Sequence, residues 1–152
     1  MERLQNKKQK KMMIKKRPIL LAAEQDFEWI GVIQSEAGLP LWKPSAVSWV
    51  LEKSAFAIWQ AAGDECELLS IAVDIAKRGR GYAKLLMEHC HKELRVQGIK
   101  SFFLEVKESN IAAISLYKKL GYEKIAERKE YYGNGEKAVV MRLVTSTPAK
   151  FS

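Results

Sequence analysis

Apolar positions recur along the chain with two periods, and the alternation between them predicts the order of the elements. Ile19–Ala22 is a short apolar run suited to a first strand. Glu24–Glu36 sets Phe27, Ile30, Val32 and Ile33 among polar residues, a helix that ends before Gly38. Pro40 and Pro44 bracket a turn, and Ser45–Lys53, carrying Val47, Trp49, Val50 and Leu51, reads as a second short helix. Phe56–Ala61 and Glu67–Val73 are apolar strands around a Gly63-Asp64 hairpin turn. Over 81–97, Ala83, Leu86, Met87, Cys90 and Leu94 fall at spacings of three and four, the strongest helical pattern, with Gly98 just past its end. Ser101–Val106 is apolar on both faces, as a central strand is. Asn110–Leu120 is a helix closed by Gly121, and Tyr122–Glu130 and Lys137–Val144 are two last strands around Gly133-Asn134-Gly135. The order β-α-α-β-β-α-β-α-β-β gives an α/β domain on a mixed sheet. Its middle strands, 67–73 and 101–106, are expected to be parallel and joined through the helix 81–97 by a right-handed crossover.

With 152 residues, 47% of them apolar, the chain suits one domain with a substantial core. No run approaches the roughly 18 apolar residues of a membrane span, and no apolar stretch of signal-peptide type follows the basic start. Cys66 and Cys90 lack metal-like spacing and read as reduced thiols of a cytoplasmic protein. His89 and His91 read as surface residues on the polar side of their helix, and no metal site is expected. The net charge of +8 sits almost wholly in residues 1–17, which hold eight Lys and Arg against Glu2 alone. Residues 1–13 therefore read as a basic, flexible tail, 14–145 as the single domain and 146–152 as a C-terminal tail. The basic run is either a solvated extension or an electrostatic contact to an RNA-rich partner such as a ribosome. It contains no aromatic residue for base stacking, and sequence-specific nucleic-acid binding is not expected.

The chemistry concentrates at 71–84, where the strand Ile71-Ala72-Val73 runs into Arg78-Gly79-Arg80-Gly81-Tyr82-Ala83-Lys84 and a helix opens behind it. Helix N–H groups, the helix dipole and two guanidiniums converge there, an arrangement suited to phosphate. Lys84 is followed by Leu85, which excludes a Walker loop, and the glycine spacing does not complete a dinucleotide fingerprint. The pattern [RQ]-x-x-G-x-[GA] does fit. Taken alone, it is compatible with an ordinary strand-to-helix turn.

Downstream stand Leu104-Glu105-Val106 and Ser109-Asn110, then Ala113, Leu116-Tyr117 and Gly121-Tyr122, and finally Tyr131-Tyr132 before Gly135-Glu136-Lys137-Ala138. Together with the glycine turn, these motifs resemble the GNAT acyl-CoA N-acyltransferase superfamily, and within it the bacterial ribosomal-protein alanine N-acetyltransferases. The resemblance runs from about Phe56 to about Tyr132, half of the chain. It implies the GNAT fold, a mixed central sheet with a splayed parallel strand pair flanked by helices. It also implies acetyl-CoA as cosubstrate. By resemblance the backbone of Ile71, Ala72 and Val73 would meet the pantetheine arm, and Arg78, Gly79, Arg80, Gly81, Tyr82, Ala83 and Lys84 the pyrophosphate. Asn110 would hydrogen-bond the pantetheine region, Glu105 would be the general base and Tyr117 the general acid. Trp42, Tyr131 and Tyr132 would border the acceptor.

Each of these residues also has a plain structural reading. Asn110 suits a helix N-cap, Tyr117 lies on an apolar stripe, Glu105 could be a solvated strand-end charge, and the paired tyrosines could pack a strand end. The expected acceptor is a protein N-terminus, most simply that of a ribosomal protein. The alternatives are a polyamine, an antibiotic amine or an internal lysine, or a non-catalytic CoA- or ribosome-binding module. By resemblance, the family strand that usually precedes the Phe56 strand is expected to be lost or reduced, and Lys137 stands where an acidic residue is common.

Overall fold

A computed structural model describes residues 19–39, 47–129 and 135–145. Its strands are β1 (Ile19–Leu21), β2 (Val47–Leu51), β3 (Ala55–Ala62), β4 (Glu65–Val73), β5 (Ser101–Lys107), β6 (Glu123–Arg128) and β7 (Ala138–Val144). Its helices are α1 (Phe27–Glu36), α2 (Tyr82–Val96) and α3 (Ile111–Lys119), with single 3-10 turns at Glu24–Asp26 and Ile75–Lys77. The strands join one mixed sheet in the order β1-β2-β3-β4-β5-β7-β6. Two compact units divide the described residues: 19–39, 47–58 and 70–91 in the first, 59–69, 92–129 and 135–145 in the second. The tails assigned to 1–13 and 146–152 lie outside the described residues, as do Trp42, Tyr131 and Tyr132.

In the first unit the segment expected as a second helix, 45–53, is strand instead. Val47–Leu51 pairs antiparallel with β1, from Ile19↔Leu51 to Leu21↔Trp49. A continuous apolar run does not distinguish a buried strand from a short helix by period. The β-branched and aromatic content of Val47, Trp49 and Val50 favours the pleated surface. The strand expected to be lost or reduced before Ala55 is therefore present, as the five-residue β2. The Asp26 carboxylate starts α1 by accepting from the Ala23 N–H at 2.8 Å and from Trp29 Nε1 at 2.9 Å. Trp29 meets Phe56 edge to face at 6.3 Å, over a core that includes Ile30, Leu51 and Ile58. His91, expected at the surface, is buried at 4% exposure, and His89 is half-buried with its ring edge-on to Trp49 at 6.4 Å. The apolar arc of α2 is thus wider than its aliphatic stripe.

In the second unit β4 and β5 are parallel but pair over three positions, Glu65↔Ser101 to Glu67↔Phe103. The parallel pair expected of these two strands is therefore present. β5 instead runs a full antiparallel ladder with β7, from Ser101↔Val144 to Lys107↔Ala138. β6 pairs with β7 across an irregularity between Lys124 and Ala126. Trp59 packs edge-on to Phe102 at 5.8 Å, and both are fully buried. Gly121 ends α3 in the left-handed region (φ 102°) that favours glycine, and a Cβ there would stand 3.0 Å from a Leu143 methyl, which would have to give way slightly.

Candidate functional site

In the first unit the turn that follows β4 is held by local hydrogen bonds. Asp74 Oδ1 accepts from the Ala76 N–H at 3.3 Å and shapes the 3-10 turn, and the Asp74 N–H donates to the Ser54 carbonyl at 2.7 Å. Arg78 Nε donates back to the Val73 carbonyl at 3.1 Å, which fixes the base of the turn and leaves the rest of an exposed guanidinium for a ligand. Gly79 and Gly81 have φ of 78° and 83°, and nothing lies within 4 Å of where a Cβ would stand on either. The chain there adopts a left-handed conformation beside open space. The first i→i−4 bond of α2 runs from Leu85 N to Gly81 O at 3.1 Å, so the earlier N–H groups belong to the first turn and aim along the helix axis. Arg80, Gly81 and Lys84 are exposed and Ala83 is half-buried, whereas Tyr82 is buried. Tyr82 thus anchors the helix start by its ring and can offer a ligand its backbone. Of the preceding strand, Ile71 and Val73 are half-buried and Ala72 is buried. An open turn of this kind fits a pyrophosphate. Gly81→Ala is expected to weaken coenzyme A binding and to lower stability by about 1 kcal/mol, because an L-residue resists this φ. Calorimetric titration and a melting curve check both effects; unchanged affinity would remove Gly81 from the site.

The second unit holds Glu105, Asn110 and Tyr117. A cavity of about 350 Å³ opens over the β4–β5 surface, and Glu65, Glu67, Phe103, Glu105 and Arg128 line it. Glu105 is paired there with Arg128, Oε1 to Nη1 at 3.1 Å. Asn110 Oδ1 caps α3 by accepting from the Ala113 N–H at 3.2 Å. Tyr117 is buried at 6% exposure beside Tyr122, and its burial pushes the phenol up to about 12. Cys66 also borders the cavity, but burial, followed by the charge of Glu67, pushes its thiol up to about 11. It remains a thiol at neutral pH and makes a poor nucleophile. Among the described residues no group of three or more His, Cys, Asp or Glu is placed to hold a metal ion. No described helix is long and apolar enough to cross a membrane.

Residues 2–122 match the model of the acetyltransferase (GNAT) family. The chain belongs to the GNAT family. A relative from Salmonella typhimurium, named a ribosomal protein bS18-alanine N-acetyltransferase, is 42% identical over 96 residues. That match covers 61% of this GNAT chain and 65% of the relative, just under two-thirds of its length. The crystal structure of the ribosomal-protein-S18-alanine N-acetyltransferase from Escherichia coli superposes with a TM-score of 0.78 at 30% identity, over 90% of this chain and 98% of that one. Ard1 from Thermoplasma volcanium shares the fold, with a TM-score of 0.74 at 23% identity over 84% of this chain and 96% of that one.

Two contacts of the GNAT chain carry no local sequence signal. One is Arg128 on Glu105; the other is Glu136 on Ser109, 27 positions away. Both arise from strands that meet only in the folded sheet.

Proposed function

We propose that the chain is an acetyl-CoA-dependent N-acetyltransferase acting on the α-amine of a protein N-terminus, that of a ribosomal protein before others. The observation that carries the donor half is the open turn at 78–84, with two left-handed glycines, two exposed arginines and a helix N-terminus. The acceptor half rests on the likeness to relatives named for bS18-alanine acetylation.

Acetyl-CoA, when bound, supplies an activated thioester. The N–H groups of Gly79 to Lys84, with Arg78 and Arg80, would hold its pyrophosphate, and the backbone of Ile71–Val73 its pantetheine arm. Asn110 would add a side-chain hydrogen bond. Glu105 would take the proton of the attacking amine, and the Tyr117 hydroxyl would hold a proton for the leaving sulfur. An α-amine with pKa near 8 is about one-tenth neutral at pH 7, so a single carboxylate suffices as base. A lysine amine is neutral only about once in a few thousand molecules at that pH. This difference favours the α-amine.

A second reading has one observation behind it. Glu65, Glu67 and Glu105 give the cavity an acidic lining, which suits a polycationic amine. Arg128 in the same cavity offsets part of that charge and favours the first reading. Transfer of labelled acetyl groups to N-terminal peptides, lysine peptides and polyamines separates them. We expect turnover on N-terminal peptides; turnover on polyamines alone would overturn the proposal. We further propose a cytoplasmic location, a domain spanning 14–145, and a basic segment that recruits the enzyme to ribosomes. Deleting residues 1–12 should leave peptide turnover intact while abolishing co-sedimentation with ribosomes at low salt.

A further inference from the structure

Glu136 stands just before β7, and its Oε1 accepts from both the backbone N–H of Ser109, at 3.3 Å, and the Ser109 hydroxyl. The neighbouring bonds continue the same seam. Glu108 N–H donates to the Lys137 carbonyl at 3.0 Å, and Lys107 lies opposite Ala138 in the β5–β7 ladder. Residues 107–109 are therefore fastened one after another to residues 138, 137 and 136. Asn110 follows directly. Its N–H donates to the Lys107 carbonyl at 2.9 Å and its Oδ1 accepts from the Ala113 N–H at 3.2 Å. With Oδ1 occupied by the helix, the side chain presents its Nδ2 amide, a pair of donors, to anything that approaches. The pantetheine arm of a coenzyme A ester carries amide carbonyls, which are acceptors.

We infer that Glu136 is a positioning residue for the donor substrate: it fixes the Ser109–Asn110 turn so that the Asn110 amide faces an acceptor on coenzyme A. A carboxylate that takes two hydrogen bonds from one residue holds that residue more firmly than a neutral acceptor does. Without Glu136 the Ser109 N–H loses its partner, and the seam to β7 ends at Glu108, two residues before Asn110. The role extends the acetyl-CoA reading and rests on it.

The test measures acetyl-CoA affinity by calorimetry together with KM for each substrate and kcat. Glu136→Ala should raise Kd and KM for acetyl-CoA about 10-fold, the size expected for losing a hydrogen bond to a charged group. KM for the acceptor should stay within about twofold, because a single exposed contact of this size is expected to act locally. Glu136→Gln, whose neutral carbonyl still accepts but more weakly, should recover part of the loss. Ser109→Ala, which removes the hydroxyl alone, should fall between wild type and Glu136→Ala and serves if the latter folds poorly. In an Asn110→Ala background Glu136→Ala should add little, since the two act in series. Strictly additive effects, an unchanged Kd, or equal rises in KM for both substrates would overturn the inference. If the wild-type chain does not bind acetyl-CoA, the donor reading itself fails and the inference falls with it.

Discussion

Glu105→Gln is expected to lower kcat by about 10²- to 10⁴-fold while leaving acetyl-CoA affinity within about twofold, the range lost when a positioned general base is removed. The fold should survive the change. Glu105 side-chain exposure is 18% and that of its partner Arg128 is 61%, so the guanidinium is rehydrated when the carboxylate goes. Pairs of that exposure contribute less than about 1 kcal/mol to stability. The isosteric amide also keeps the packing of β5, where Leu104 and Val106 on either side are buried. Single-turnover transfer measured on a variant with an unchanged melting temperature isolates the chemical step. Full activity would return Glu105 to the plain reading of a strand-borne surface charge.

The Arg128 contact depends on one structural irregularity. Opposite residues share a face, so Glu105, Val140 and Ala126 lie on one side of the sheet, and Lys107, Ala138 and Arg128 lie on that same side. Before the irregularity at Lys124/Ala126 the register places Lys124 opposite Met141. Continued unchanged, it would set Arg128 opposite Lys137, with its side chain on the other face. The extra residue in β6 reverses the sidedness of everything after it and brings Arg128 to Glu105.

No period in the sequence announces such a bulge, which is why Arg128 was not legible there. Glu136 was illegible for a related reason: its partner is fixed by a ladder between strands distant in sequence. The turn at 78–84 was legible because strand, glycines, arginines and helix start are contiguous, and local rules decide their conformation. Asn110 and Tyr117 show two readings holding together. The cap and the burial are both present, and neither removes the proposed role. The segment 45–53 went the other way, because a short run of apolar residues takes its secondary structure from the strand it meets, and β1 is that strand.

Tyr117→Phe should act on catalysis and on alkaline stability together. Burial among apolar groups disfavours the phenolate and pushes Tyr117 from its ordinary value of 10.0 up to about 12. Its hydroxyl therefore remains protonated throughout the working range, as a donor to a leaving sulfur must. Removing it should lower kcat by about 10²-fold or more, with little change in substrate affinity. The same shift fixes the sign of a pH effect. Below pH 10 the phenol is protonated in the folded and unfolded chain alike, and its contribution to stability is fully present. Above pH 10 the unfolded chain releases the proton while the folded chain retains it until about 12. Stability therefore falls across that window, by roughly 3 kcal/mol for a shift of this size. The phenylalanine variant lacks this titration. Denaturant unfolding of both proteins at pH 9, 10, 11 and 12 should show the wild type losing stability faster than Tyr117→Phe. Cys66, raised to about 11, titrates in the same range but is common to both, so the difference curve belongs to Tyr117. A flat difference between pH 10 and 12 would contradict the burial of the phenol. An unchanged kcat with a sloping difference curve would keep the buried tyrosine and remove it from the chemistry.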